Sequence, residues 1–339
     1  MKRETGLGEG ELGVALLAVG AGALPAMLLV GSLADRLGTS AVGVSALAFA
    51  LAAPLPALAD SQLSLAAALA AVGAASGALD VTMNAAVSEL EAGGARLMNA
   101  AHAIFSAAVV AASVAVGLAR QAGADRLEIL LVVAGALGVC AAVNRRGVRP
   151  TASSRPGLGR LSPPLVALGV LAALAFAVEG GMEAWSALHL EQTLGAEPAV
   201  SGLGPGLFAL AMVAGRVGAQ LCGGSERLLL AVAAGVGAAG AGLAALATSV
   251  PVALAGFVLV GLGMSVAAPT FFGRAGRLAG AGARARAIST VTTLGYLGFL
   301  VSPALVGGIS DLAGLRSGIA ALAGVAIALG IGSTIALRR

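Results

Sequence analysis

Long apolar runs, each about the length of a bilayer crossing, follow one another along almost the whole chain. The polar and Gly/Pro-rich breaks between them predict helices at 12–33, 41–59, 63–90, 98–119, 126–143, 163–190, 199–221, 228–248, 251–273, 286–308 and 315–336. One break differs from the rest. Residues 144–162, NRRGVRPTASSRPGLGRLS, are basic, rich in Pro, Gly and Ser, and without period. Such a stretch reads as a flexible connection. It divides the chain into an N-terminal half of five helices (1–143), a linker (144–162) and a C-terminal half of six helices (163–339).

Composition turns this pattern into a solvent assignment. Of 339 residues, 58% are hydrophobic and 11% charged, with a mean hydropathy of +0.98. A soluble domain carries about 25% charged residues. A chain this apolar could not cover an aqueous surface, so the expected class is an all-α integral membrane protein of about eleven transmembrane helices. The net charge of +4 does not point to nucleic acid. The basic residues are almost all Arg in short loops, with one Trp, one Tyr and no basic–aromatic interleaving. With the linker in the cytoplasm, fifteen of the twenty Lys and Arg fall on its side of the membrane. That bias predicts a multi-pass membrane protein with a cytoplasmic C-terminus. The first run is too long for a signal-peptide core and lacks a following A-x-A site, so it reads as a retained span. Cys140 and Cys222 have no partner at metal spacing and read as small buried residues. There is no G-x-x-x-x-G-K-S/T loop, so ATP is not expected as the driving force. The segment GLGMSVAAP (261–269) lacks the strand context of a nucleotide fingerprint. Neither cofactor nor metal is expected.

An internal repeat organises the halves. The start, LGEGELGVALLAVGAGALPAMLLVGSLADRLG, is echoed by LGAEPAVSGLGPGLFALAMVAGRVGAQLCGG after the sixth run. GARLMNAAHAIFSAA is echoed by GARARAISTVTTLGY. Parallel repeats are familiar in secondary transporters. Under this alignment span 163–190 has no first-half counterpart, and a five-plus-six arrangement lacking a first helix is expected. The repeat also places GSLADRLGTS (31–40) unusually early. That stretch resembles the loop signature of the major facilitator superfamily, G-x-L-a-D-r-x-G-r-R/K, through Gly31, Leu33, Ala34, Asp35, Arg36 and Gly38. GALDVTMNAAVSELE (77–91), MNAAHAIFSAA (98–108) and EGGMEAWSALHLEQTLGA (179–196) look like its YbjJ-like bacterial branch, distantly similar to fucose permeases. The resemblance implies a bundle of two helical halves around a cavity, in a bacterial inner membrane. It also implies a gate in which Asp35, near a helix N-terminus, pairs with an Arg of the other half. Arg216 is the expected second-half counterpart of Arg36.

Candidate chemistry lies inside the spans, where ionisable groups are costly unless they serve a cavity or a partner. Asp80 and Asn84, at i and i+4, share one helix face. They read as a proton- and solute-binding pair or as a structural inter-helix hydrogen bond. Glu179 and Glu183 share the same spacing. Two carboxylates one turn apart repel when both are ionised, and one proton relieves that. Trp185, beside them, reads as a stacking platform for a sugar-like ring or as an outer-interface residue. His102 reads as a titrating cavity residue or an interface one, and His189 as outer-interface. Thr292, Thr293 and Tyr296 line the cavity or bond neighbouring helices. The expectation is a secondary active transporter, a monomer, moving a small solute by alternating access with proton coupling. The alternative is a non-transporting membrane protein, either a truncated remnant, a scaffold or a solute sensor. No catalytic cluster supports an enzyme.

Overall fold

The structure, a computed structural model, describes residues 8–92, 98–146, 162–221, 225–279 and 284–337. Among them every regular element is helical. Helix α1 (Glu9–Leu37) begins with Glu9 and Glu11 in its first turn, where the helix dipole favours carboxylates. The Gly8 N–H donates to Glu11 Oε2 at 3.0 Å. Helix α2 (Ala41–Ala52) stops ahead of Pro54 and Pro56, which leave only a 3-10 turn. Helix α3 spans Gln62–Ala92 and α4 Met98–Gln121. Helix α5 (Arg126–Val143) starts at a reciprocal capping box between Asp125 and Glu128. Helix α6 (Pro163–Leu194) is ended by Gly195 in the left-handed region (φ 67°), with the Ala196 N–H donating to the Leu190 carbonyl at 2.9 Å. A short turn, α7 (Pro198–Ser201), leads into α8 (Leu203–Leu221). Then follow α9 (Glu226–Leu246), α10 (Val250–Met264), α11 (Ala267–Ala279), α12 (Arg284–Ala313) and α13 (Leu315–Ala336).

Each of the eleven expected runs carries a helix, and among the described residues ten stretches are long and apolar enough to cross a membrane, the run expected at 98–119 offering only the shorter apolar helix Ala107–Gln121. The run expected at 251–273 is two helices. Pro269 has no N–H to give the Ser265 carbonyl and its ring crowds that group, so regular helix breaks at Ser265–Val266. The break is buried from Gly263 to Ala268, as irregular backbone inside a membrane must be. Outward faces are apolar: Leu63, Leu246 and Leu312 are 81%, 79% and 90% exposed. Exposed apolar surface on this scale belongs against lipid. Cys140 corrects the sequence reading, because it is exposed on α5. Helix α5 packs chiefly on α2, and lipid asks for no burial of its other faces.

The chain forms two compact units, Met1–Phe105 with Ala122–Arg155, and Ser106–Gln121 with Pro156–Arg339. In the first unit α1 pairs most extensively with α3, and α2 with α5. In the second, α8 pairs with α10 and α9 with α13. Under the repeat alignment these are equivalent pairings. Helix α6 pairs with α12. The pairings depend on missing side chains, since lipid supplies no hydrophobic drive between helices and close packing must replace it. A Cβ at Gly73 would overlap the Val19 carbonyl, and one at Gly22 the Ala70 carbonyl, so α1 and α3 touch backbone to backbone. The grouping differs from a division at the linker in one respect: the second part of α4 packs with the second unit. A Cβ at Gly117 would lie 2.7 Å from the Pro198 carbonyl oxygen, and one at Gly202 2.5 Å from that of Ser113.

Candidate functional site

Helix α6 runs through the middle of the second unit and carries the most unusual chemistry in the chain. Its position against α12 is fixed around Glu179. The Ser302 hydroxyl donates to the Ala177 carbonyl, and Gly298 lies directly on the Ala173 carbonyl. Gly180 and Gly181 leave room for the Phe299 ring and the Leu322 side chain. Glu179 is thereby 5% exposed, with Oε1 lacking a hydrogen-bond partner. Glu183, one turn on, is exposed. Arg216 of α8 is exposed too and lies within electrostatic reach of both carboxylates. Two acids and one guanidinium therefore share a site in which one acid is sealed and the other two groups are open. Arg216, read in the sequence as a gate residue, is thus brought beside the acids.

Aromatic rings adjoin this site. Phe176, one turn before Glu179, lies 5.8 Å from the Tyr296 ring and 4.9 Å from Phe299, with Phe272 at 6.2 Å. Tyr296 is half-buried and is tied to the acid-bearing helix through the Phe176 ring, one turn before Glu179. Thr292 instead donates to the Ile288 carbonyl of its own helix at 2.9 Å. In the first unit, Asn84 Nδ2 donates to Asp80 Oδ1 at 2.9 Å, with both residues half-buried on α3. The shared face deduced from the i, i+4 spacing is real, and its bond stays within one helix.

Other expectations are corrected. Trp185 is fully buried, so it neither sits at an interface nor presents a ring to solute in this structure. His189 is also fully buried, its Nε2 3.0 Å from the Ala244 carbonyl oxygen and its ring edge-on to Phe257. Both corrections share a cause: α6 lies at the centre of its unit, where position along the span does not set exposure. Asp35 and Arg36 belong to the last turn of α1, with Gly38 opening the 3-10 turn that follows. A carboxylate there sits at the negative end of its own helix, so the dipole argument finds no support from α1. The side chains of Asp35, Arg36 and His102, and the environment of Gly31, lie outside the described residues, as does Cys222.

Two ion-pair networks escaped the sequence reading. Arg120, in the last turn of α4, makes a two-pronged contact with Glu191: Nη1 to Oε1 at 2.5 Å and Nη2 to Oε2 at 3.0 Å. The Ser201 hydroxyl donates to the same carboxylate at 2.6 Å. Beside it, Gln121 donates to Glu197 at 2.9 Å and accepts the Ala199 N–H at 3.1 Å. Elsewhere Glu226 receives Arg277 and, at 3.5 Å, Arg274. Counting spans puts the members of each network in loops on one side of the membrane. That was the available signal.

These features can be set beside known proteins. The family model described as Major Facilitator Superfamily matches residues 1–279. An uncharacterized MFS-type transporter of Yersinia pestis is 33% identical over 321 residues, 93% of this chain and 83% of its own length. Membrane protein MosC of Rhizobium meliloti is 30% identical over 322 residues, 93% of this chain and 79% of its own. Among solved structures, a bacterial homologue of the human lysosomal transporter Spinster superposes with a TM-score of 0.80 at 14% identity, covering 99% of this chain and 90% of the other. The nucleoside transporter NupG gives a TM-score of 0.80 at 11% identity, covering 100% and 93%. The structural likenesses speak to the fold alone. Together with the family match and the sequence relatives, they make this multi-pass chain a member of the major facilitator superfamily of membrane transporters.

Proposed function

We propose that this protein is a secondary active transporter that moves a small solute by alternating access of its two halves, with proton coupling at Glu179 and Glu183. The observation that carries the reading is Glu179 itself: a carboxyl sealed inside a membrane-spanning helix, one oxygen unpartnered, one turn from Glu183 and near Arg216. An ionisable residue is retained at such a depth because it serves a cavity or a pathway. Arg216 offsets one negative charge. The second is relieved by a proton or by a solute, so binding one affects the other. Asp80 and Asn84 would form a polar binding pair within the first half, and in the second half Tyr296 would border the acids. The Arg distribution supports a bacterial inner-membrane location with the linker and C-terminus cytoplasmic.

The test uses purified protein in liposomes loaded with a pH-sensitive dye. Sugars, organic cations and nucleosides would be added in turn, the last because a nucleoside transporter shares the fold. A carried solute should move protons with it. Glu179→Gln and Asp80→Asn should each abolish uptake driven by a proton gradient. Glu179→Gln should retain exchange of labelled for unlabelled solute at equal concentrations. Transport without proton movement, or normal gradient-driven uptake by Glu179→Gln, would overturn the coupling.

A further inference from the structure

Four buried polar atoms without hydrogen-bond partners lie on α6 within eleven residues: Glu179 Oε1, Trp185 Nε1, Ser186 Oγ and His189 Nδ1. Buried polar groups in folded proteins are almost always satisfied, and isolated exceptions in native structures need an explanation. A series on one helix points to a shared one. Trp185 and His189 are one turn apart at i and i+4, and Ser186 and His189 are at i and i+3, so neighbouring members face the same sides. From Glu179 to His189 the series advances about 15 Å along the helix. Trp185, Ser186 and His189 are each fully buried.

Ser186 packs closely on α8 at Gly204, where a Cβ would be crowded at 3.2 Å from Leu190 Cδ1, 3.3 Å from the Ser186 Oγ and 3.4 Å from the Phe257 ring. His189 spends Nε2 on the Ala244 carbonyl, which makes Nε2 the protonated nitrogen and leaves Nδ1 as a lone-pair acceptor. Arg316 of α13 acts electrostatically on His189 and donates to the Ala245 carbonyl at 3.0 Å, and the Glu191–Arg120 pair begins two residues further along α6. The series thus offers a donor at Trp185, an acceptor at His189 and a group of either kind at Ser186. Buried water, donating and accepting at once, fits such a set.

We propose that α6 holds a file of internal water in contact with Trp185, Ser186 and His189, extending from the sealed acid Glu179 toward the end of the helix. The file gives protons a hydrogen-bonded route to Glu179 separate from the open face at Glu183 and Arg216. Its role in coupling rests on the proton reading above. The water sites themselves do not.

The chain has one Trp and two His, so the test needs no variant at the site. Protein carrying a nitrogen-15 indole, in lipid nanodiscs, is moved into deuterium oxide and its single indole signal is followed by NMR. The indole N–H should exchange at least about 100-fold faster than the backbone amides of Trp185 and Ser186, because water reaches the side chain without the helix opening. With labelled histidine in a His102→Gln background, the His189 Nδ1 shift should be that of a hydrogen-bonded acceptor. An indole as slow as its own backbone amide, or amides that exchange as fast as the indole, would overturn the file. So would a free Nδ1 lone pair. Unaltered proton movement in Glu179→Gln would remove the coupling reading and leave the water result standing.

Discussion

Glycine-to-alanine substitutions give a test of the packing argument in which even the sign is at stake. In a helix interior with open space, Gly→Ala stabilises by about 0.5–1 kcal/mol, since alanine restricts the unfolded chain and favours helix. Gly235 on α9 is such a site, with nothing near the position of a new Cβ. Gly73 is the opposite case. Its Cβ would overlap the Val19 carbonyl oxygen and lie 2.7 Å from the carbonyl carbon. That obstacle is backbone and cannot swing aside. The α1–α3 pair must therefore separate by roughly 1 Å, which forfeits a quarter to a half of the dispersion at each contact along the crossing. Overpacking of this kind costs about 1–3 kcal/mol. Gly73→Ala and Gly235→Ala should then differ by about 2–4 kcal/mol, with opposite signs against the parent. At roughly 1.4 °C per kcal/mol for a chain of this length, the melting temperatures should separate by about 3–6 °C. Far-ultraviolet circular dichroism is the natural probe, because it reads helix loss in both units, the one holding Gly73 and the one holding Gly235. Equal melting of the two variants, or a Gly73→Ala variant above the parent, would refute the backbone-contact account.

The charge networks make smaller predictions. The Arg120 side chain is 42% exposed and Glu191 17%, so a double-mutant cycle of Arg120→Ala with Glu191→Gln should give a coupling of about 1 kcal/mol or less, most of it lost in 1 M salt. A coupling of 3 kcal/mol or more, or one indifferent to salt, would mean that the pair is sealed from water. Glu226→Gln should lower stability by about 1 kcal/mol, because it takes the carboxylate from Arg274 and Arg277 and an acid from the first turn of α9. Glu226→Asp should recover part of that loss in the same melt, and a Gln variant as stable as the parent would show the network to be idle.

Hydropathy sufficed for the helices because lipid imposes a single rule along each span. Helices α5 and α13 begin and end where the sequence places them, since Asp125 and Gly314 punctuate them locally. The break at Ser265–Val266 was less visible. A lone Pro269 in a strongly apolar run reads as tolerable until the neighbours that bury the break are known. The i, i+4 pairs Asp80–Asn84 and Glu179–Glu183 were legible because helical geometry alone puts them on one face. Which carboxylate is sealed, and that Arg216 joins it, depends on how α6, α8 and α12 cross, and no local spacing encodes a crossing. Trp185 and His189 illustrate the same limit. Interface statistics describe helices with a lipid-facing end, whereas α6 is enclosed. Arg120 and Glu191 are 71 residues apart, and only the tertiary fold joins them.

The interruption between α10 and α11 has a mechanical consequence. Helix α10 packs chiefly on α9 and α8 and less on α6, whereas α11 packs chiefly on α12 and α6. Were residues 250–279 one unbroken rod, any tilt of α6 and α12 would be levered directly onto α9. With the rod divided at Ser265–Val266, the same tilt is absorbed at a two-residue joint. Helix α11 can then turn with α6 and α12 without carrying the whole of α10 with it.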